Sequence, residues 1–232
     1  MDFSEDLLRV LWHEVGHFCV DLLESEANPD FVVDDFWVMY NENAISKHKW
    51  GGGVRMMPSV KWNVLVEDLD KTSFSMLGSI SGCVFETVFL NEFLQKNVRF
   101  EDCFNNKEGC AGQGDFMSFF MMGSELRKKY GRNPDFIKFS ETELFDIYYK
   151  QLITNKAFLE QLNEIVVKRR DKILADYKDS DNKKEYSHHL IKDDLDILKN
   201  HVTEIMLKTS FKEMILDIKE VIRAKMEIES QV

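Results

Sequence analysis

At the start of the chain, over residues 4 to 24, hydrophobic residues recur among polar ones with the spacing of one amphipathic helix. The apolar positions recur every three or four residues and include Leu7, Leu8, Leu11, Val15, Phe18 and Leu22. Ser4 is placed to cap the first turn, where Glu5 and Asp6 suit the positive end of the helix dipole. This pattern predicts a helix with one buried face.

The pattern changes to short apolar runs between residues 30 and 66, which favour two or three strands in a hairpin or small sheet. Helical spacing returns from residue 72 to 94, where Gly78 and Gly82 leave one face open to a close approach by another helix. Residues 97 to 114 are rich in glycine and asparagine and predict a loop. A further helix is predicted from Asp115 to Tyr130, ended by Gly131.

Beyond Pro134 the apolar positions follow helical spacing, apart from the polar residues 178 to 189, which predict an interhelical loop. The expected fold class is therefore mainly α with a small β-sheet or hairpin, that is, α+β. We expect a first domain over residues 1 to 134 and a helical extension over residues 135 to 232. The sequence leaves open whether this extension packs on the first domain or forms a separate bundle.

Charge and composition narrow the classes of function. The 41 acidic and 30 basic side chains give a net charge of -11, so the chain lacks the basic surface that nucleic acid requires. The sequence has no long uninterrupted apolar run, and its N-terminus is acidic where a signal peptide is basic, which favours a cytoplasmic protein without a membrane segment. Free structural thiols are expected at all four cysteines, Cys19, Cys83, Cys103 and Cys110.

A stronger chemical signal is the sequence HEVGH at residues 13 to 17, inside the first predicted helix. Histidines four residues apart lie on one face of a helix, about 6 Å along its axis, so His13 and His17 can share a metal ion. Glu14 points to the neighbouring side, where it can take a proton from a metal-bound water. The motif predicts zinc as cofactor and hydrolysis of peptide bonds as the reaction.

A tetrahedral catalytic site needs a third protein ligand and an open fourth position. The extended form HExxHxxGxxH is excluded, because its glycine and third histidine are replaced by Val20 and Leu23. The remaining candidates are distant histidines and carboxylates, above all Glu86 on the glycine-bearing helix and Asp115 at the start of the next helix. Residue types and spacing alone do not choose between them.

Four segments between Leu8 and Gly131 resemble, in order and approximate spacing, the peptidase domain of the FtsH family of ATP-dependent zinc proteases. They are HEVGH, GGGVRMMP, LGSISGCVFETVF and GCAGQGDFMSFFMMGSELRKKYG, similar to the family patterns HEAGH, LGxTxxxP, LLGGRxAEExxF and TGAxxDLxxATxxAxxMVxxxG. The resemblance implies a zincin-like fold with Asp115 as the third zinc ligand, and it makes Glu86 a supporting or packing residue. The chain departs from the family at Ser81, Cys83 and Thr87.

The family couples its peptidase to an ATPase, yet the sequence contains no GxxxxGK[ST] phosphate loop. We therefore expect a peptidase domain standing alone, which acts on peptides or already unfolded chains. A homo-oligomer and a separate ATPase partner stay open. The alternative is a non-catalytic metal-binding or protein-interaction module derived from such a peptidase, against which the retention of Glu14 argues.

Three weaker features complete the sequence-based expectations. The phenylalanine and methionine cluster of residues 116 to 122 favours core packing, with a subunit interface or a substrate pocket as alternatives. The strand ending near Arg55 to Met57 is a candidate for holding an extended peptide by edge pairing. His48 is expected to be a turn residue rather than a catalytic one.

Overall fold

The computed structural model of the chain describes residues 2–44, 48–105, 112–131 and 134–227. The first predicted helix is confirmed as α1, Phe3–Ala27. Asp2 caps it: its side chain accepts from the backbone N–H of Glu5, whose carboxylate accepts from the backbone N–H of Asp2. The expected cap at Ser4 was wrong, because the carboxylate two residues earlier forms a reciprocal capping box with Glu5.

The predicted hairpin is confirmed by strands β1, Val32–Asn41, and β2, Trp50–Met57, which pair antiparallel. A third strand, β3 at Glu185–His189, pairs antiparallel with the other side of β1 and gives the order β2-β1-β3. The prediction of a loop over residues 178 to 189 is therefore wrong for its last five residues, which form β3. The residues of β3 have no strong strand preference, and the open edge of β1 supplies the backbone partners.

The middle of the chain holds the helices that meet α1. A single turn, α2 at Trp62–Leu65, precedes α3, Leu69–Val88, which continues as a π-helical turn over Phe89–Phe93. The loop predicted for residues 97 to 114 contains a short helix, α4 at Phe100–Cys103. Helix α5, Gln113–Tyr130, ends as predicted at Gly131, whose φ of 87° lies in the left-handed region that favours glycine.

The C-terminal part of the chain is mainly helical. It comprises α6 at Pro134–Lys138, a π-helical turn at Phe139–Glu143, α7 at Leu144–Thr154, α8 at Lys156–Asp179, α9 at Lys192–Lys208 and α10 at Phe211–Glu227. Helices α8 and α9 contact α1, whereas α7 and α10 contact α3. The fold is therefore α+β, mainly helical with a small antiparallel sheet, as expected. A domain boundary near residue 134 stays a prediction.

Helices α1 and α3 form the centre of the fold and approach each other closely at Gly16. A β-carbon there would lie 2.6 Å from the carbonyl oxygen of Ser81 and 2.9 Å from the Phe85 ring, so the crossing requires glycine. The segment Leu69–Phe93 is long and apolar enough to cross a membrane, but 83% of its most apolar stretch is buried inside the protein. Such burial is typical of a core helix. Helix α3 lies directly against the HEVGH segment of α1.

The phenylalanine and methionine cluster of α5 is not the core segment that was expected. Met122 is fully buried, but Met117 and Phe120 are 43% and 51% exposed. Phe116, Phe119 and Phe120 line a separate apolar cavity of about 360 Å³. The expectation of core packing was wrong for most of the cluster, because the run is apolar around most of the helix whereas α5 meets the core along one face.

Candidate metal centre

The two histidines of HEVGH and Asp115 come together although they lie far apart in the chain. His13 Nε2 lies 3.0 Å from Asp115 Oδ2 and 3.2 Å from His17 Nε2, and His17 Nε2 lies 3.3 Å from the same carboxylate oxygen. Ligand atoms about 2 Å from a tetrahedral zinc ion are roughly 3.3 Å from one another. The three atoms therefore form a triangle with the dimensions of one face of a zinc tetrahedron.

The second ring nitrogen of each histidine faces an acceptor, which fixes the tautomer. His17 Nδ1 lies 2.8 Å from the carbonyl oxygen of Gly78, and His13 Nδ1 lies 2.9 Å from Glu86 Oε2. Both acceptors require a proton on Nδ1, so in the neutral rings both Nε2 atoms carry lone pairs. Metal-binding histidines are commonly oriented in this way, by a carboxylate or carbonyl behind the ring.

Three acceptor atoms so close together need a positive charge between them. Burial opposes a charge on His17, but the Asp115 carboxylate outweighs it and raises the pKa of His17 to about 9. Burial likewise opposes a charge on His13, yet hydrogen bonds to Asp115 and Glu86 raise its pKa. Burial alone would raise the pKa of Asp115, but the two histidines outweigh burial and lower this pKa. Protons can satisfy this triangle, and so can one divalent cation.

Gly82 of α3 leaves the space in which the two imidazole rings meet. A β-carbon at this position would lie 2.5 Å from His13 Nε2 and would also overlap His17 Nε2. Any other residue would therefore displace both candidate ligand atoms. The open face of α3 that Gly78 and Gly82 predicted is thus present. At Gly82 this face accommodates the two histidine rings rather than the backbone of another helix.

Asp115 reaches the triangle from the first turn of α5, which packs against α3. The entry to α5 is tied to α4, because the Gly112 N–H donates to the Cys103 carbonyl at 3.2 Å. A β-carbon on Gly112 would overlap the Cys83 sulfur. The backbone before Asp115 therefore rests directly on the pair of cysteines.

These two cysteines, Cys83 in α3 and Cys103 in α4, are joined by a disulfide with a Cα–Cα separation of 5.7 Å. The expectation of free thiols is wrong for both, because the fold brings together residues that lie 20 positions apart. It is confirmed for Cys19, which is free and buried, whereas Cys110 lies outside the described residues. The disulfide holds the start of the loop before α5 against the helix that carries Gly82.

Glu14 lies beside the triangle in a buried position and is 6% exposed. Burial, the largest influence, raises its pKa, while the charged forms of His13 and His17 act in the opposite direction. None of the described residues donates a hydrogen bond to its carboxylate. Strand β2 passes over it at Gly52, where a β-carbon would lie 2.8 Å from Glu14 Cγ. The glycines of GGGVRMMP thus allow β2 to approach the HEVGH helix.

A buried ion network lies on the Nδ1 side of the His13 ring. Glu86 was expected as a supporting residue, but the sequence did not predict the ion pairs that Arg9 forms. Glu86 Oε2 lies 3.3 Å from the Arg9 guanidinium as well as 2.9 Å from His13 Nδ1. Arg9 is 3% exposed and also pairs with Asp6 at 3.0 Å. Burial would raise the pKa of Glu86, but Arg9 and His13 lower it, so the carboxylate stays charged. Glu86 therefore lies on the side of the ring away from the triangle.

Asp6 connects this network to the segment before β2. Its carboxylate accepts from the backbone N–H groups of Lys49 and Trp50 at 2.8 and 3.1 Å, and it lies 2.9 Å from His48 Nδ1. Burial alone would raise the pKa of Asp6, but His48 and Arg9 outweigh burial and lower this pKa. His48 lies two residues before β2 and contacts Asp6 rather than the triangle, so it is not among the candidate metal ligands.

A cleft of about 310 Å³ opens beside the triangle. His17 and Asp115 line it on one side, and Val54 and Met56 of β2 line it on the other. The cleft is distinct from the larger apolar cavity along α5, which contains none of the candidate ligands. Two of the candidate ligands, His17 and Asp115, therefore border an open space beside strand β2.

The structure brings His13, His17 and Asp115 into one cluster, with Glu14 beside them and Glu86 behind His13. Arg9, Gly82 and the disulfide belong to the same arrangement. The sequence singled out Gly82 as a helix-packing position, but it carried no separate signal for Arg9 or for the disulfide. Comparison with family models, curated proteins and solved structures gives no match to this chain.

Proposed function

We propose that the protein is a zinc-dependent metallopeptidase in which His13, His17 and Asp115 hold the metal ion. The observation that carries the proposal is the triangle of two Nε2 atoms and one Oδ2 atom, with both Nδ1 atoms facing acceptors. Three protein ligands leave one position open, as in catalytic rather than structural zinc sites. Zinc, when bound, would polarise the substrate carbonyl and make a water molecule more acidic.

Glu14 is the proposed general base. Its carboxylate is buried beside the ligands, and no described residue competes for its oxygen atoms. Because burial raises its pKa, it holds a proton more firmly than an exposed glutamate does. It can therefore accept a proton from the attacking water and pass it to the departing amine.

The proposed substrates are peptides and unfolded chains. Strand β2 lies at the edge of the described sheet, and its residues Val54 and Met56 face the cleft. An extended peptide could pair with such an edge and pass the metal ligands at the same time. The resemblance to FtsH peptidases and the zincin-like assignment are proposed on the four sequence segments together with this geometry.

The proposal is tested by zinc content and by hydrolysis of fluorescently labelled casein, for the wild type, Glu14→Gln and Asp115→Ala. We expect Asp115→Ala to lose most of its zinc, because one corner of the triangle is removed. Glu14→Gln should retain zinc and lose at least about 100-fold in kcat/KM, because the base is absent.

The matched control is Glu125→Ala, which changes a carboxylate on the same helix that pairs with Lys128 at 2.5 Å. It should keep both zinc and hydrolysis. Wild-type protein that holds zinc but leaves casein intact would refute the peptidase and leave a metal-binding module. Unchanged zinc in Asp115→Ala would refute the ligand assignment.

A further inference from the structure

Two carboxylates continue the metal-binding face of α1 into the cleft. Asp21 lies four residues beyond His17, and Glu24 lies three residues beyond Asp21, so these side chains follow one face of the helix. Both line the cleft together with His17 and Asp115. Neither belongs to the HEVGH motif, and the proposed hydrolysis makes no use of them.

Among the residues that the structure describes, neither carboxylate has a hydrogen-bond or ion-pair partner. Glu24 is 5% exposed, and no described residue forms a hydrogen bond or an ion pair with its side chain. Asp21 is partly buried, and no hydrogen bond or ion pair joins its side chain to another described residue. The cation that acts on Glu24 from a distance is Lys71, whose ammonium group instead lies over the Phe31 ring, 5.6 Å from its centroid.

Glu24 is buried and Asp21 is partly buried, so negative charge on these two neighbouring carboxylates is unfavourable unless a cation lies beside them. Burial is the main cause that raises the pKa of Asp21 to about 7, although the charged His17 ring acts in the opposite direction. Burial also raises the pKa of Glu24 to about 8, and Asp21 adds to that shift. Buried carboxylates are normally balanced by a cation. In this cleft, the missing positive charge can come from a molecule that enters beside the metal ligands.

We infer that Asp21 and Glu24 form a subsite that binds a positively charged group of the substrate close to the scissile bond. This inference rests on the proposed peptidase function. The chemistry is that of an ammonium or guanidinium group, supplied either by a lysine or arginine side chain or by the α-ammonium group of a substrate N-terminus. Apolar walls from Phe31, Val54 and Leu65 suit the aliphatic stem of a long basic side chain.

A second metal ion fits this pair less well than an organic cation does. The described residues contain two clusters with metal-ligand geometry, namely His13, His17 and Asp115, and His13 with the disulfide-bonded Cys83 and Cys103. Neither cluster includes Asp21 or Glu24. Two carboxylates on one helix face supply acceptors from one side, which suits the hydrogen atoms of an ammonium group.

The test uses zinc-loaded protein and acetylated, quenched decapeptides that differ at one position, which holds either lysine or the neutral Nε-acetyllysine. A second pair of peptides carries no basic residue and differs in a free or acetylated N-terminus. Cleaved bonds are identified by mass spectrometry. The proteins are the wild type, Asp21→Asn, Glu24→Gln and their double variant, each checked for zinc content and for helicity by circular dichroism.

We expect lysine beside the cleaved bond to raise kcat/KM at least about tenfold over acetyllysine in the wild type. The ratio should fall close to one in the double variant. Glu26→Gln is the control, because Glu26 lies on the same helix but is 55% exposed and pairs with Lys212; it should keep the wild-type ratio. A preference for the free N-terminus that the double variant loses supports the same subsite, with the α-ammonium group as its ligand.

Binding of the same peptides to Glu14→Gln protein, measured by titration calorimetry, separates the two hypotheses. If the zinc-loaded wild type cleaves no peptide, the peptidase proposal fails. The subsite is then still tested by comparing the Kd values of the basic peptides with those of the acetylated ones. A wild-type preference of about one in both hydrolysis and binding overturns the inference. So does a lysine preference that persists in a folded, zinc-loaded double variant.

Discussion

A β-carbon added to Gly82 would overlap the ring nitrogens of His13 and His17, whereas one added to Gly78 would meet only Asp21 Oδ1, at 3.7 Å. The two glycines lie four residues apart on α3, so they offer a matched pair of substitutions. Alanine is favoured over glycine within a helix by about 1 kcal/mol. Gly78→Ala should therefore be as stable as the wild type or more so, with its zinc affinity unchanged.

For Gly82→Ala we expect a loss of zinc affinity of about 100-fold or more, because the new methyl group displaces both Nε2 atoms. The measurement is competition with a chromogenic zinc chelator, with circular dichroism to confirm that the helices remain. Zinc affinity equal to that of the wild type would mean that these two nitrogen atoms do not bind the metal together.

At the scale of single residues, the sequence predicted what a local motif encodes. His13, Glu14 and His17 were identified because their spacing within a helix has a direct chemical meaning. Asp115 could be selected over Glu86 only through a family resemblance, since 98 residues separate it from His17. Arg9 looked like an ordinary helix residue, because its partner Glu86 is 77 positions away.

At the scale of elements, the disulfide between α3 and α4 supports the approach to Asp115. It closes a loop with a sequence separation of 20 residues, so its loss should lower the free energy of unfolding by about 3 kcal/mol. The test is urea unfolding of metal-free protein with and without tris(carboxyethyl)phosphine. The reductant should destabilise the wild type and leave the double variant Cys83→Ser/Cys103→Ser unaffected.

Cys19→Ala provides the control for this prediction, because Cys19 is the free buried cysteine of the described residues. That variant should respond to the reductant as the wild type does. If the reductant leaves wild-type stability unchanged, the disulfide does not contribute to the folded state in solution.

The elements also show which patterns are informative. The amphipathic pattern of α1 and the apolar runs of β1 and β2 predicted their structures, because each buries a face with its own periodicity. Strand β3 was missed because pairing with β1, more than 140 residues earlier, determines it rather than its own residues. The exposed side of α5 was missed for a similar reason, since apolar residues alone do not reveal which side meets the core.

At the scale of the whole molecule, charge and cysteine pairing bear on location in different ways. The acidic composition is the basis for predicting that the protein does not bind nucleic acid, and the acidic N-terminus is part of the basis for predicting a cytoplasmic location. A disulfide is more common in oxidising compartments. Cytoplasmic location, a homo-oligomer and a separate ATPase partner therefore stay predictions, whereas the central place of the buried helix α3 is a property of the fold.

The stability of the whole metal-free protein should depend on pH through the acidic cleft. Burial, Asp21 and Asp70 raise the pKa of Glu24 to about 8, while Lys71 acts in the opposite direction. The folded state thus retains a proton that the unfolded state releases near its ordinary pKa of 4.5. The stability that this proton provides is fully present below about pH 4.5, and it is lost as the pH rises from there through about 8.

Urea unfolding at pH 6 and pH 9.5 isolates this contribution when Glu24→Gln is compared with Glu26→Gln. His17, whose pKa is raised to about 9, also loses its proton over this range, so both variants should lose stability as the pH rises. The loss should be smaller in Glu24→Gln, by roughly 2 to 4 kcal/mol, because its amide does not ionise. Equal losses would show that Glu24 is already balanced by a positive charge in solution, and the cleft would then have no need of a cationic ligand.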